Sequence, residues 1–366
     1  MARKPKITVS LQCLALYVAR TLGVFAVAQY LTRKRLRILC YHGLSIGDEH
    51  EVVPYMFMRK ETFERRMQIL KKRRVPVIAL DAAVRKLKAG EINSAETVIT
   101  FDDGWASNLT TGLPILERFG YPACIYVTTE HLTAGAEAFN VALFYMLCRS
   151  RRRTLKLQNV HPRIDGTYDI AKDLQATTIA LIDAAENAVP LLADRQQLLR
   201  PIAGALGMDL DRVLENGRFH LLRRAEIEEL YRRGIDIQLH THTHRLPDSD
   251  FDAMAEEIEQ NRDALKGILG VVQSHFCFPS GKYYQRHLPW LMKLGIASAT
   301  TCDPGLNDPG TPVMLLKRYV DSDQFSAIRF EAEICGLREL ARNLRSSLKR
   351  YWPDRHPQVT DGSEFR

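Results

Sequence analysis

The chain has 366 residues, enough for one large domain or two modest ones, and its composition of 46% hydrophobic and 26% charged residues is that of an ordinary globular protein. Part of its formal net charge of +8 lies in short basic runs at 33–37, 71–74 and 149–153. No nucleic-acid-binding motif or aromatic interleaving accompanies them, so nucleic acid is excluded as the expected partner. Seven dispersed cysteines without a CxxC pair argue against a disulfide framework and for reduced thiols.

Residues 1–35 combine a basic start with an apolar stretch that Arg20 interrupts and Gln12 and Gln29 dilute. A central charge is wrong for a spanning segment, and no small-residue cleavage site stands out. An amphipathic helix is expected there, docked on the globular body or in peripheral contact with a membrane. Short β-rich runs then alternate with helical patterns. Strands are expected at 36–42, 76–80, 97–102, 123–128, 235–241, 275–279, 296–301 and 315–320. Helices are expected near 60–72, 80–88, 109–118, 224–233, 251–269 and 283–294. Strands alternating with helices imply βα units on a parallel sheet, and this many units imply an α/β fold built as a distorted (β/α) TIM-like barrel of seven or eight strands. The alternation stops at 135–220, a stretch read as a helical insertion. The barrel is therefore expected over 36–134 and 221–330, followed by a helix and polar tail at 331–366.

Two segments carry chemistry. "TVITFDDG" ends a predicted strand in Asp102 and Asp103, followed by a glycine. Neighbouring strand residues point to opposite faces, so both acids reach one barrel mouth only if the strand has begun to turn. One acid is then available to bind a metal while the other stays free as a base; the competing reading is an Asp-Gly turn capping a helix. "IDIQLHTHTHRLPD" places His240, His242 and His244 at the end of another strand. If this segment stayed extended, His240 and His244 would be about 13 Å apart, too far for one ion, so the chain must turn after His240. Two histidines and one carboxylate with open positions form a catalytic rather than structural metal site. Such a set suits one divalent ion, zinc first, with cobalt or nickel fitting as well.

With these motifs the chain resembles the polysaccharide deacetylase family, the NodB-homology group of carbohydrate esterases. "TFDDG" followed by "HTHTH" is similar to its signature pair. "ILCYHGL", "FCFPSGKY" and "ATTCDPGLN" with "LLKRYVDSD" resemble further family segments, covering roughly residues 36–325. The resemblance implies metal-dependent removal of an acyl group, most often acetyl from an amino sugar. It makes Asp102 the catalytic base, Asp103, His240 and His244 the metal ligands, and His242 the spare. The metal then polarises the acyl carbonyl and acidifies water, which Asp102 deprotonates.

Departures from the family pattern are equally specific. Cys277 stands about where many relatives carry an arginine that orients the base. No C-terminal "L-x-L-x-H" motif supplies a general acid, which leaves His42, at the end of the first strand, as the candidate. Arg318 matches a family arginine that either contacts the acids or braces the barrel. Trp105 either stacks on a sugar or caps a helix, and Pro279 belongs to the mouth-shaping turn. The expected substrate is a glycan or glycolipid bearing an N-acetylated amino sugar, with a small non-sugar amide as the second reading and a silent glycan-binding barrel as the third. The cysteines point to a cytoplasmic protein or one peripheral on the inner membrane face; family precedent points outside the cytoplasm.

Overall fold

The computed structural model describes residues 11–135 and 137–351. Seven strands form one parallel sheet: β1 (Arg37–Tyr41), β2 (Thr97–Phe101), β3 (Cys124–Val127), β4 (Asp236–Leu239), β5 (His275–Cys277), β6 (Ser298–Thr300) and β7 (Tyr319–Val320). Their spatial order is β6-β5-β4-β3-β2-β1-β7. Between β1 and β6 the strands lie side by side in chain order, as successive right-handed βα units place them. Leu316 makes a parallel bridge to Thr300 of β6, and β7, three residues further on, pairs with β1. One short segment thus spans both edges of a curled sheet, giving the distorted barrel that the alternation of elements implies.

The strands are short, and β1, β2, β3, β5 and β6 are buried along their whole length. They read as continuous apolar runs because a parallel sheet is covered on both faces. Inside, Leu39, Tyr41, Ile99, Phe101, Ile125, Ile237 and Phe276 pack with the inner faces of the surrounding helices. Two of those helices fall where helical periodicity puts them, at Lys60–Lys72 and Phe251–Leu269.

Four expectations are corrected. Residues 76–80 do not form a strand: Val77 makes a single bridge to Thr97, and Leu80 already opens a helix. The helix expected from 109 begins as a π-helical stretch, Asn108–Gly112. Residues 135–220 hold helices including Phe139–Arg149, Leu174–Ala188 and Leu199–Leu206, but also an antiparallel hairpin, Thr154–Leu157 with Gly166–Asp169. The apolar residues of this part, Leu143, Met146, Leu155, Leu181 and Ile202 among others, pack in a second core that also takes in Phe57 and Trp105 from outside the insertion. The single amphipathic N-terminal helix is two helices, α1 (Leu11–Thr21) and α2 (Val24–Leu31), bent by 80°. Gly23, at φ +78, makes the break at little steric cost. Residues 1–10 and 352–366, including the polar tail, lie outside the described residues.

Candidate metal and catalytic centre

Parallel strands deliver their C-terminal ends to one mouth, and β1, β2, β4 and β5 bring polar groups there together. β2 ends at Phe101, and the chain then leaves the strand conformation: Asp103 has φ 71 and Gly104 φ 86. This left-handed step brings both acids to the same mouth. A side chain at Gly104 would also press on Val127, with its Cβ 3.1 Å from Cγ1. The histidine segment turns by the same device. β4 ends at Leu239, and Thr241 and His244 both take positive φ, at 63° and 60°.

The helix Phe251–Leu269 holds that turn in place. Asn261, fully buried, accepts from the His240 backbone N–H at 2.9 Å and donates to the Val127 carbonyl at 2.9 Å and Thr129 Oγ1 at 3.0 Å. One helical turn earlier, Glu257 accepts from the backbone N–H groups of His242 and Thr243, each at 3.0 Å. Neither residue was singled out from sequence. Their signal is an i, i+4 polar pair set among the core-facing Met254, Ile258 and Leu265.

As a result, His240 Nε2 lies 3.4 Å and His244 Nε2 3.3 Å from the same oxygen, Asp103 Oδ1. The ligand atoms of these three residues all fall within 4.8 Å of one another. The other Asp103 oxygen accepts from Trp105 Nε1 at 3.0 Å. His240 donates from Nδ1 to the Cys277 carbonyl at 2.9 Å, since a carbonyl can only accept. In a neutral ring that leaves the Nε2 lone pair facing Asp103, the arrangement typical of metal-ligating histidines. Burial raises the Asp103 pKa, but the two imidazoles, which donate to it from Nε2 in their protonated form, overcome this and hold the carboxyl well below its usual range. For His240 burial lowers the pKa, and the two carboxylates outweigh it and push it up. The pocket therefore favours positive charge, and its donors fit a divalent ion with His2Asp ligation. His240 is buried and His244 is 43% exposed in its side chain, so such an ion would have one face open to the mouth. His242 turns away, with Nδ1 2.9 Å from Thr129 Oγ1.

Asp102 lies beside this trio, an oxygen within 4.8 Å of a His240 ring nitrogen, but takes its hydrogen bonds from elsewhere. Arg318, on the approach to β7, forms a fork with it: Nη1 to Oδ1 and Nη2 to Oδ2, each at 2.7 Å. Arg318 also donates from Nε to the Thr301 carbonyl at 2.8 Å, and both partners are buried. Burial alone would raise the Asp102 pKa, and the guanidinium more than offsets this, bringing it down to about 2. Of the two readings for Arg318, contact with the acids is the one found. Cys277, where many relatives of the resembled family place the orienting arginine, lies beside the fork, with its Sγ 3.1 Å from Arg318 Nη2 and 3.5 Å from Asp102 Oδ2. Cys40 Sγ lies equally close to Oδ2 from the other strand, a neighbour that sequence reasoning missed.

His42, just past β1, brings a ring nitrogen within 4.8 Å of an Asp102 oxygen and of Cys40 Sγ. Its buried Nδ1 has no hydrogen-bond partner among the described residues. Trp105 cannot stack on a sugar: it is 2% exposed and packed edge-on against Phe57 at 4.8 Å, and its role is to hold Asp103. Pro279 is buried and opens the turn Pro279–Gly281 after β5, where Ser280 and Gly281 take positive φ.

A curled parallel sheet with an acid pair and two converging histidines at its strand ends defines a (β/α) barrel with a candidate metal centre at its mouth. A family model described as "Polysaccharide deacetylase" matches residues 168–299, a segment that contains His240 and His244 but not the acid pair. No curated protein matches the sequence. Among solved structures, the deacetylase PplD from Streptococcus pyogenes in complex with acetate is similar at 16% identity and TM-score 0.53, over 80% of this chain and 94% of that one. IcaB from Ammonifex degensii matches at 16% identity and TM-score 0.53, over 82% and 97%. BC0361, a polysaccharide deacetylase from Bacillus cereus, matches at 16% identity and TM-score 0.52, over 82% and 69%. At such identity these likenesses are of fold. The family model over residues 168–299 and the barrel fold are thus what this chain shares with polysaccharide deacetylases.

Proposed function

We propose that this protein is a metal-dependent deacetylase acting on an N-acetylated amino sugar within a glycan or glycolipid precursor. The observation that carries the reading is the division of labour between adjacent acids. Asp103 is bracketed by two imidazoles, whereas Asp102, though within 4.8 Å of a His240 ring nitrogen, is anchored through both oxygens by a guanidinium. A divalent ion held by Asp103, His240 and His244, zinc first and cobalt or nickel as fitting alternatives, would polarise an acyl carbonyl and acidify water at the open face of the site.

Asp102 is the base in this scheme. Arg318 keeps it ionised at working pH and fixes its orientation, at the cost of making it a weak base, so it suits a water that is already acidified. His42, with a ring nitrogen near Asp102, is the proposed general acid toward the leaving amine. Trp105 and Pro279 support the ligand shell and the mouth turn.

The test is metal analysis of purified protein together with acetate release from N-acetylglucosamine oligomers. Asp102→Asn is expected to abolish turnover with metal retained, and His42→Ala to lower kcat by roughly 10²–10⁴-fold with metal retained. Loss of metal in Asp102→Asn but not in Asp103→Asn would reverse the two acids. Bound metal without activity on any acylated sugar would favour a small non-sugar amide as substrate. A protein that takes up no metal on reconstitution would sink the enzyme reading altogether.

A further inference from the structure

We propose that the outer face of α1 and α2 docks on an anionic lipid bilayer, lying in the interface rather than spanning it. The hairpin has two apolar faces. Its inner face is tied to the protein: Phe25 and Ala28 are buried with Ile328, Ala332 and Cys335, and Cys13, Leu16 and Ala19 pack against them. Arg20 pairs with Glu331, and the Thr32 hydroxyl donates to the carbonyls of Ala28 and Cys335.

The outer face is covered by nothing in the described residues. Leu11, Leu14, Val18 and Leu22 recur at helical spacing along α1, and Val24, Val27 and Leu31 along α2, all of them exposed, with Tyr17 and Tyr30 beside them. These nine side chains equal in number the exposed large apolar residues of all the other described segments together. An apolar patch of this density marks an interaction surface.

Charge selects the occupant. Asp48 is the first carboxylate in the chain, and the 47 residues before it carry eight lysines and arginines. Eight is also the formal net charge of the whole protein, so everything from Asp48 onward is balanced. Glu331 takes up Arg20, and Glu339 takes up Arg35. Arg33 and Lys34 have no carboxylate partner among the described residues. Arg33 instead stacks over Tyr30, 3.8 Å from its centroid, at the rim of the apolar stripe. Apolar stripes edged by aromatic and basic groups suit an interface rich in anionic headgroups.

A second copy of the chain fits less well, since a two-fold contact would set two acid-free basic segments against each other. A membrane span fits less well too. No single helix is long and apolar enough to cross, and straightening the bent pair would strip Phe25 and Ala28 from their core. The docking helices pack on the Ala327–Ile334 and Leu337–Tyr351 helices.

The test is co-sedimentation of the full chain with equimolar phosphatidylcholine–phosphatidylglycerol vesicles and with phosphatidylcholine alone. Binding to the anionic vesicles only is expected, largely released at about 1 M salt, where screening shortens to about 3 Å. Val18→Glu/Val27→Glu should abolish it, and Arg33→Ser/Lys34→Ser should weaken it roughly thirtyfold, at about 1 kcal/mol per cation removed. An unchanged melting temperature in both variants confirms folding, because all four side chains lie on the surface. Equal binding to neutral vesicles, resistance to alkaline carbonate extraction from membranes, or self-association in place of vesicle binding would each overturn the proposal.

Discussion

Replacing Arg318 with methionine removes the one guanidinium that neutralises Asp102 inside the barrel. The pair is buried on both sides, with side-chain exposures of 0% and 4%, and its two bonds are 2.7 Å each. In Arg318→Met the carboxylate keeps as hydrogen-bond partners among the described residues the thiols of Cys40 and Cys277, both at 3.5 Å, with the rings of His42 and His240 further off. Breaking a buried ion pair by deleting one partner costs about 3–5 kcal/mol. Linkage gives the carboxylate's share independently. A folded pKa of about 2 against an ordinary 3.8 corresponds to about 2.5 kcal/mol. The folded pKa is the depressed one, so this stabilisation is present above 3.8 and is lost as pH falls through about 2. The assay is urea denaturation at neutral pH, with chelator throughout, on the wild type, Arg318→Met, Asp102→Asn and the double variant. Arg318→Met is expected to lose about 3–5 kcal/mol, and Asp102→Asn should cost about 2 kcal/mol less in its background than in the wild type. Arg318→Lys, which keeps the charge but not the fork, should fall between. A loss below about 1 kcal/mol for Arg318→Met, or strictly additive costs in the cycle, would refute the reasoning.

Three further outcomes are expected. Asn261→Leu leaves the His240 N–H and the Val127 carbonyl without their partner, so denaturation should show a loss of about 2–4 kcal/mol, and calorimetric titration should show weaker metal binding as the turn loosens. His244→Ala, at an exposed position, should leave the melting temperature of the metal-free protein within a few degrees of wild type while lowering metal affinity at least tenfold by the same titration. His131 is buried with its pKa lowered to about 4, chiefly by desolvation. Its unfolded form binds a proton first, so stability is full above about 6.5 and declines as pH falls toward 4. Between pH 7 and pH 5 this residue's share of the loss should be about 2 kcal/mol by urea midpoint, and the pH dependence should shrink by that amount in His131→Gln, the remainder belonging to histidines such as His275 and His287 whose pKa values burial also lowers.

Most of the barrel was legible because a parallel sheet demands continuous apolar runs, and 97–102, 123–128 and 275–279 have no other use. The segment at 76–80 has the same composition, but Pro76 lacks an N–H to donate to a neighbour and Leu80 is taken by the next helix. The hairpin at Thr154–Leu157 was hidden by the basic run preceding it and by an exposed–buried alternation only four residues long. At the site, the residue types and the need for two turns were readable, but not how the backbone makes them. The turn through Thr241 and His244 is held by Asn261 and Glu257, distant in sequence, and a β-branched residue such as Thr241 is an unusual place for positive φ. The Arg318 fork joins elements far apart in the chain, so sequence offered the arginine without its partner.

The 135–220 insertion separates the acid pair from the histidine pair along the chain, yet Glu137 bridges His220 and Ala138 donates to the Phe219 carbonyl where its two ends meet. To the growing barrel this segment is therefore a closed loop of nearly zero span. Loop-closure entropy rises only by about 0.6 kcal/mol for each doubling of length, so an insertion whose ends sit side by side adds little to the cost of pairing β3 with β4. The assembly order expected from that geometry is that the insertion closes first, β4 then adds beside β3, and the ligand set is completed last. A variant that only slows folding of the insertion would delay the appearance of metal affinity during refolding while leaving the finished site unchanged.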